Sequence, residues 1–268
     1  MSRPDATEPA PILPDDDPWL ALRRYTHARI ALGRAGNGLP TRAQLAFELA
    51  HAQARDAVHA PLDAQGLEAA LHDAGFATLQ VHSAASDRAD YLRRPDFGRR
   101  LDARSAASLD EHAKQQDGGP DLLFVVADGL SAHAVARHAL PVLTRVRAQL
   151  PELRLGPIVI AQQARVALGD DIGERLRARL VVVMLGERPG LSSPDSLGIY
   201  ITHAPRRGCN DAQRNCISNV RPQGLAYEGA AFKLGYLVSR ALALGLTGIA
   251  LKDDSDRLAH PAADGTLA

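Results

Sequence analysis

Four short runs of Val, Leu and Ile in the second half of the chain constrain its fold more than any other feature. They cover residues 122–127, 157–161, 180–185 and 197–202. Helical segments at about 131–149 and 170–178 separate the first three runs. Near-continuous apolar runs of this length are typical of strands buried on both faces, and their alternation with helices favours a parallel sheet. We therefore predict an α/β fold with a doubly wound, mainly parallel Rossmann-like sheet.

The first part of the chain lacks this pattern. Residues 18–110 favour helices, and only a short apolar segment at 77–81 is compatible with a strand. A polar, glycine-containing linker near residues 115–121 predicts a domain boundary. The sequence thus predicts a disordered tail over residues 1–17, a helical N-terminal domain over 18–117 and a Rossmann-like domain over 118–268. A last helix is predicted over about 227–244, ended by Gly245.

Charge and composition exclude several classes of protein. The chain has 31 Lys+Arg against 31 Asp+Glu, whereas nucleic-acid binders show a basic excess. Its longest apolar runs fall far short of the about 20 residues that a membrane helix requires. The N-terminus carries Pro and acidic residues where a secretory signal needs a basic start and an apolar stretch. We therefore expect a cytoplasmic protein whose two cysteines are reduced.

The loops that follow the four runs are the candidate ligand site, because doubly wound sheets bind ligands beyond the carboxyl ends of their strands. These loops begin at Asp128, Gln162, Gly186 and His203. We expect all four at one edge of the sheet. Each also has a purely structural interpretation, since Asp128 can end a strand while Ser131 caps the next helix.

The other loops have structural interpretations too. The Pro-Gly step at 189–190 is typical of a tight turn, and Arg206 and Arg207 form a pair that solvent can accommodate. The basic segment at residues 93–100 is either bracketed by ion pairs with its own acids or serves as a docking surface for an acidic partner or phosphate. Ion pairing is the favoured interpretation.

Nucleotide and metal motifs are missing from the sequence. Neither G-x-G-x-x-G after a strand nor the P-loop pattern occurs. Cys209 and Cys216 are six residues apart, which matches no structural zinc pattern, so we predict no metal site. Cys216 has no adjacent base to make it a nucleophile, and a small buried thiol is the favoured interpretation.

Several segments together resemble the small (light) subunit of ethanolamine ammonia-lyase. The matching stretches are RRYTHARIALGRAG (23–36), LPTRAQLAFELAHAQARDAV (39–58), YLRRPDFGRRL (91–101), DLLFVVADGLSAHAV (121–135), LGERPGLSSPDSLGIYITHAPR (185–206) and NCISNVRPQG (215–224). The resemblance covers residues from about 18 to about 252. The stretches around GERPGL and CISN are its specific part, and the Ala-rich helices are not.

The resemblance implies a subunit of a lyase that uses adenosylcobalamin to convert ethanolamine to acetaldehyde and ammonia. The large subunit, a TIM barrel, would bind ethanolamine, and this chain would cover the cofactor through its C-terminal domain while its helical domain contacts the large subunit. The cobalamin contacts known in the family correspond to Val166, Glu187 and Cys216. No catalytic residue is expected in this chain, because the partner and the cofactor would supply the chemistry.

Val166 and Glu187 also follow the second and third runs, where the sheet rule independently predicts a ligand. Several family members carry an amphipathic N-terminal helix that targets a bacterial microcompartment, and residues 1–17 show no such apolar face. Two other hypotheses stay open on the residues alone. One is a self-contained enzyme that uses Asp128 or Glu187 as acid or base in a closed pocket, and the other is an interaction module without a ligand.

Overall fold

The computed structural model describes residues 17–26 and 28–259, so the predicted tail up to residue 16 and residues 260–268 lie outside this part. The helices are α1 (Thr41–His59), α2 (Ala64–Asp73), α3 (Arg88–Arg93), α4 (Ala103–Lys114), α5 (Ala132–Gln149), α6 (Leu168–Arg175), α7 (Tyr227–Leu244) and α8 (Ser255–Ala259). The strands are β1 (Thr78–His82), β2 (Leu122–Ala127), β3 (Ile158–Gln162), β4 (Leu180–Gly186), β5 (Leu197–His203) and β6 (Asn215–Val220). The four predicted runs become β2 to β5 within one residue at each end.

The chain divides into two compact units. The first comprises residues up to Asp56 together with Gly190–Ser193, and the second comprises Ala57–Pro189 and the residues from Pro194 onward. In the first unit, Asp17 accepts a hydrogen bond from the backbone N–H of Trp19 (2.9 Å) and starts the short 3₁₀ helix Pro18–Tyr25.

Helix α1 leaves Leu45, Phe47 and Leu49 exposed, and Trp19 and Tyr25 of the 3₁₀ helix are exposed as well. The first unit therefore presents large apolar side chains to solvent.

The second unit contains one six-stranded sheet in the order β1-β3-β2-β4-β5-β6. The four strands from β1 to β4 are parallel to one another, whereas β5 pairs with β4, and β6 with β5, in antiparallel fashion. The α/β class is thus confirmed, but the sheet is mixed and does not have the expected doubly wound arrangement throughout. The physical reason is the connection after β4, which contains no helix and so returns the chain directly alongside its own strand.

Helices cover both faces of the parallel strands. Helices α2, α5 and α7 bury one face, which includes Phe124, and α4 and α6 bury the other, which includes Val125. All six residues of β2 are accordingly buried, as the continuous apolar run predicts.

Strands β5 and β6 differ from the parallel strands in how their two faces are covered. Ile199 and Ile217 face the core formed with α5 and α7, and both are buried. On the opposite face Tyr200 is half-buried and Cys216 is exposed. This face of the antiparallel strands is therefore accessible to a ligand or to another chain.

The predicted boundary at residues 115–121 lies inside the second unit. Strand β1, which the sequence assigns to the helical part, pairs with β3 over its whole length, from Thr78 opposite Ile158 to His82 opposite Gln162. Helices α2 and α4 pack against β1. Residues 57–117 therefore contribute a strand and helices to the sheet unit, in place of a separate helical domain.

No single helix of the described residues is long and apolar enough to cross a membrane. Helix α7 reaches the necessary length and apolar composition only together with Gly248–Arg257, and the two segments meet at a bend of 92°.

A buried histidine joins α5 to the chain that follows β4. His138 is 3% exposed; its Nδ1 lies 2.8 Å from the Tyr227 hydroxyl and its Nε2 lies 3.5 Å from the Asp195 carboxylate. Asp195 also accepts a hydrogen bond from Arg137 (2.8 Å). Burial lowers the pKa of His138, although Asp195 acts in the opposite direction. The ring is therefore neutral at neutral pH.

This lowered pKa predicts how stability depends on pH. Below the ordinary histidine pKa of about 6.5, the unfolded chain binds a proton that the folded ring resists, so the free energy of unfolding falls as the pH falls. The contribution of one such group is at most about 1.4 kcal/mol per pH unit. We expect a shallower dependence in His138→Gln between about pH 7.5 and 5.5, measured by urea unfolding. His133→Gln, at an exposed position of the same helix, is the control, and an unchanged slope in His138→Gln would contradict this assignment.

Candidate functional site

A cavity of about 470 Å³ lies beyond the carboxyl ends of the parallel strands and along the accessible face of β5. Leu130, Val166 and Glu187 contribute to its wall from the loops after β2, β3 and β4. Tyr200 of β5 and the segment 209–214 form the opposite side. The cavity thus lies beyond the carboxyl ends of the strands, where a ligand site is predicted, and three of the four predicted loops meet there.

The fourth predicted loop is not part of this edge. His203, at the end of β5, pairs with Leu180 at the start of β4, so residues 203–208 lie at the opposite edge of the sheet. The expectation that all four loops share one edge is wrong because β5 runs antiparallel. The chain returns to the cavity with Cys209, Asn210, Asp211 and Arg214.

Asp128 fixes the loop after β3. It is 3% exposed, and its carboxylate accepts hydrogen bonds from the backbone N–H groups of Gln163 (2.8 Å) and Ala164 (3.0 Å). Arg88 lies 3.7 Å from the same carboxylate. Burial raises the pKa of Asp128, while the two N–H groups and Arg88 oppose that shift. Asp128 thus connects the ends of β2 and β3 and holds Gln163 at a φ of 53°, in the left-handed region.

The predicted helix cap at Ser131 does not form. Ser131 occupies the N-cap position of α5, but its hydroxyl makes no capping hydrogen bond. Instead, its Oγ donates to the carbonyl oxygen of Pro194 (2.9 Å). This bond ties the loop after β2 to the chain that enters β5.

Tyr91 packs against the loop after β3. Its ring, 1% exposed, lies between two guanidinium groups, with the Cζ atoms of Arg88 and Arg165 at 4.6 and 4.5 Å from the ring centroid. Burial raises the pKa of the phenol to about 12, so the ring stays neutral. Arg165 donates from Nη2 to the Tyr91 carbonyl oxygen (3.1 Å), and its backbone N–H donates to Gly98 (2.8 Å). The segment that carries Val166 is therefore held from two sides.

Of the three predicted site residues, Val166 and Glu187 line the cavity. Val166 is half-buried, packs against the core beneath α6, and its carbonyl oxygen accepts the N–H of Gly169 at the start of that helix (3.0 Å). Its side chain offers apolar surface to the cavity from a fixed backbone.

Glu187 is oriented by Ser196, which directly precedes β5, and by Gly198 of β5. Its Oε2 accepts a hydrogen bond from Ser196 Oγ (2.8 Å), and its backbone N–H donates to the Ser196 carbonyl oxygen (2.9 Å). A Cβ at Gly198 would lie 2.7 Å from Glu187 Oε1, so the glycine leaves room for the carboxylate against the strand. Glu187 therefore presents a pre-positioned acceptor to the cavity.

The third predicted residue, Cys216, lies one strand further away. It is opposite Tyr200, which lines the cavity, in the β5–β6 pair. Cys216 is exposed as a residue, so the expectation of a buried thiol is wrong; β6 is an edge strand and turns this side chain away from the core. Partial burial of the sulfur raises the pKa of the thiol. Cys216 is therefore a neutral thiol that lies beside Tyr200 and does not itself line the cavity.

A buried ion pair forms the wall opposite these loops. Arg214, 7% exposed, donates to both carboxylate oxygens of Asp170 (2.6 and 2.7 Å), to Thr202 (3.0 Å) and to the Cys209 carbonyl oxygen (2.8 Å). The pair holds the segment before β6 against α6. The charge of Arg214 is therefore neutralised by Asp170.

The basic segment at residues 93–100 has mainly internal partners. Arg93 pairs with Asp90 (3.2 Å), and Arg94 and Arg100 pair with Asp96 (2.9 and 3.6 Å). The favoured interpretation of ionic bracketing is thus confirmed for these three arginines. Arg99 is different because its side chain lines the cavity.

The cavity differs from the closed pocket that the hypothesis of a self-contained enzyme predicts. The cavity is open to solvent, and Asp128, whose pKa is raised, does not line it. Within residues 17–26 and 28–259, no three His, Cys, Asp or Glu side chains are grouped to hold a metal ion. The fold and the site together define an α/β protein with an open cavity beside a mixed sheet.

Comparison with known proteins identifies the family to which the chain belongs. The chain matches the ethanolamine ammonia-lyase light chain (EutC) family over residues 16–252. It is 57% identical over 256 residues to the ethanolamine ammonia-lyase small subunit of Ralstonia nicotianae, covering 94% of both chains. The small subunit of Pseudomonas putida is 57% identical over 90% of this chain and 89% of its own, and that of Pseudomonas fluorescens is 56% identical over 92% and 91%. The chain belongs to the ethanolamine ammonia-lyase light chain family.

The contacts that Asp128 makes with Gln163, Ala164 and Arg88 predict a large loss of stability in Asp128→Asn. The amide has one acceptor oxygen for two N–H donors, and it leaves Arg88 without its buried counter-charge. We expect the free energy of unfolding to fall by about 3 kcal/mol, measured by urea unfolding. Asp96→Asn removes an exposed carboxylate that pairs with two arginines, Arg94 and Arg100, and serves as the control. Equal losses in the free energy of unfolding of the two variants would contradict this role of Asp128.

Proposed function

We propose that this chain closes the adenosylcobalamin site of an ethanolamine ammonia-lyase complex. In this proposal the large subunit, a TIM barrel, binds ethanolamine, and the complex converts it to acetaldehyde and ammonia. The observation that supports this assignment most is the cavity at the strand ends, which opens onto the accessible face of β5 and β6 in a chain of the light chain family.

The size of the cavity fits a shared site. Pockets that enclose drug-sized ligands measure about 300–1,000 Å³. The cavity here, at about 470 Å³, holds a ligand of that size, whereas a corrinoid with its nucleotide tail is far larger. A cobalamin at this place would therefore need a second wall, which we assign to the large subunit.

The side chains fit the chemistry of a corrinoid. The corrin rim carries amide groups, whose N–H donors match the carboxylate of Glu187 in the position that Ser196 and Gly198 give it. Val166 and the ring of Tyr200 offer apolar surface beside it. The raised pKa of Cys216 keeps its thiol neutral, so it contributes a weak polar contact without attacking or ligating as a thiolate.

Homolytic cleavage that starts a radical reaction is the chemistry that the cofactor supplies when bound. The residues of this chain bind, orient and shield. An open site would expose radicals to quenching by solvent components, so a covering subunit protects the reaction. The Glu187 carboxylate binds the rim, and no side chain of this cavity is assigned an acid or base role.

The partner contacts are proposed for the region that the sequence assigns to residues 18–117. Its first part presents Trp19, Tyr25, Leu45, Phe47 and Leu49 to solvent. Apolar side chains of this size are enriched in subunit interfaces. We assign this surface to the large subunit.

This division of labour predicts where activity resides. The purified chain alone is expected to release no acetaldehyde from ethanolamine with adenosylcobalamin, whereas the complex with the large subunit of the same organism is expected to do so. A coupled assay for acetaldehyde measures both. Turnover by the isolated chain would refute the division.

The role of Glu187 predicts weaker cofactor binding in Glu187→Ala. Loss of a charge-assisted hydrogen bond corresponds to about 1–3 kcal/mol, or roughly 5- to 150-fold in the dissociation constant. Titration of the complex with cyanocobalamin, followed by its visible spectrum, measures this effect. Glu228→Ala, an exposed carboxylate at the start of α7, is the control. Unaltered affinity in Glu187→Ala would remove the residue from the site.

A further inference from the structure

The charges around the cavity do not balance. Four arginines line it, namely Arg99, Arg165, Arg188 and Arg214, against the carboxylates of Glu187 and Asp211. Arg214 is neutralised by the buried Asp170. The remaining arginines give the cavity a positive excess that its own residues do not compensate.

Two of these arginines have unused guanidinium groups. Arg99 and Arg188 are exposed, and within the described part of the chain neither side chain forms an ion pair or a hydrogen bond. This contrasts with Arg93, Arg94 and Arg100 of the same basic segment, which all pair with nearby aspartates. Arg99 and Arg188 therefore lie at the cavity with their binding capacity free.

The third arginine connects this free charge to the rigid part of the site. The backbone N–H of Arg165 donates to the carbonyl oxygen of Gly98, and a Cβ at Gly98 would lie 3.0 Å from Arg165 Cγ. Gly98 thus lets Arg165 and the segment leading into Arg99 approach closely. The Nε of Arg165 is buried and donates no hydrogen bond within the described residues. A buried donor without an acceptor indicates that an acceptor belongs nearby.

Arginine is the side chain that proteins favour for phosphate, because its planar fork donates two parallel hydrogen bonds. The corrin side chains of a cobalamin are neutral amides, whereas its nucleotide tail contains a phosphodiester. We propose that Arg99 and Arg188, beside Arg165, bind this phosphodiester. The proposal rests on the function proposed above and adds a second contact point, distinct from the corrin rim that Glu187 contacts.

The test compares two corrinoids that differ in the tail. Cyanocobalamin contains the phosphodiester, and dicyanocobinamide lacks both phosphate and nucleotide. Dissociation constants for both are measured on the complex with the large subunit, using the visible spectrum. For the double variant Arg99→Gln/Arg188→Gln, we expect cyanocobalamin to bind about 10- to 150-fold more weakly. Dicyanocobinamide should change by less than about twofold, as for the loss of a surface charge.

Other variants separate this proposal from the one on which it rests. Glu187→Ala should weaken both corrinoids, and Arg240→Gln, at an exposed position of α7, should weaken neither. Raising the salt concentration should weaken cyanocobalamin binding more in the unmodified complex than in the double variant. Urea unfolding and gel filtration with the large subunit check that the double variant folds and assembles.

Three outcomes would overturn the assignment. If the unmodified complex does not bind cyanocobalamin, the proposed function fails and this inference fails with it. If it binds, and the double variant binds both corrinoids as tightly as the unmodified complex or loses affinity for both equally, the arginines do not bind the tail. If the double variant no longer associates with the large subunit, the arginines serve carboxylates of that partner instead.

Discussion

The connection between β4 and β5 is the constraint on which the rest of the structure depends. Between Gly186 and Leu197 the chain forms no helix, so it cannot cross over and must return antiparallel to β4. The same reversal brings β6 to the edge of the sheet, and α7 then packs on the face shared with α5. The other face of these strands stays accessible, with Tyr200 and Cys216 pointing into it. A regular crossover helix at this point would cover the surface that the cavity uses.

The cavity wall is built from segments that lie far apart in the chain, and buried charges hold them together. Asp128 joins the loops after β2 and β3, Arg88 and Arg165 enclose the Tyr91 ring, and Arg214 holds the segment before β6 to Asp170. Breaking a buried pair leaves an uncompensated charge, which is strongly destabilising. These groups therefore fix the geometry of the wall even though they do not have to touch a ligand.

Much of the fold could be predicted because burial leaves a strong pattern in the sequence. Strands β2 to β4 are buried on both faces, so their continuous apolar runs mark them within one residue. Strand β6 has no such pattern, since Cys216, Ser218 and Asn219 are exposed, and it was not predicted. The direction of β5 leaves no signal in its own composition, so the sheet was expected to be more parallel than it is. Strand β1 was assigned to a helical domain because its pairing with β3 joins residues about eighty positions apart.

The site divides between what strand order reveals and what tertiary contact alone creates. Val166 and Glu187 follow strands, so the edge rule locates both in the cavity wall. Tyr200 was not predicted, and Arg99 was considered only as part of the basic segment at residues 93–100, for which ion pairing was the favoured interpretation. Tyr200 lies inside an apolar run, and Arg99 is one arginine among several whose partners are set by local folding. Spacing along the chain does not mark Arg99, because Asp96 and Asp102 each lie three residues from it, and the fold decides that Asp96 pairs with Arg94 and Arg100.

Fixed and free side chains occupy different parts of this cavity, and this difference has an energetic consequence. Glu187, Arg165 and Arg214 are held by bonds that exist without a ligand, so their ordering entropy is lost when the chain folds. Arg99 and Arg188 have no side-chain partner among the described residues, so they lose side-chain freedom on binding. A ligand that meets the fixed groups first gains most of its orientation at little entropic cost. The free arginines can then adapt to an anionic group whose position is set by the rest of the ligand, which suits a flexible tail better than a rigid ring.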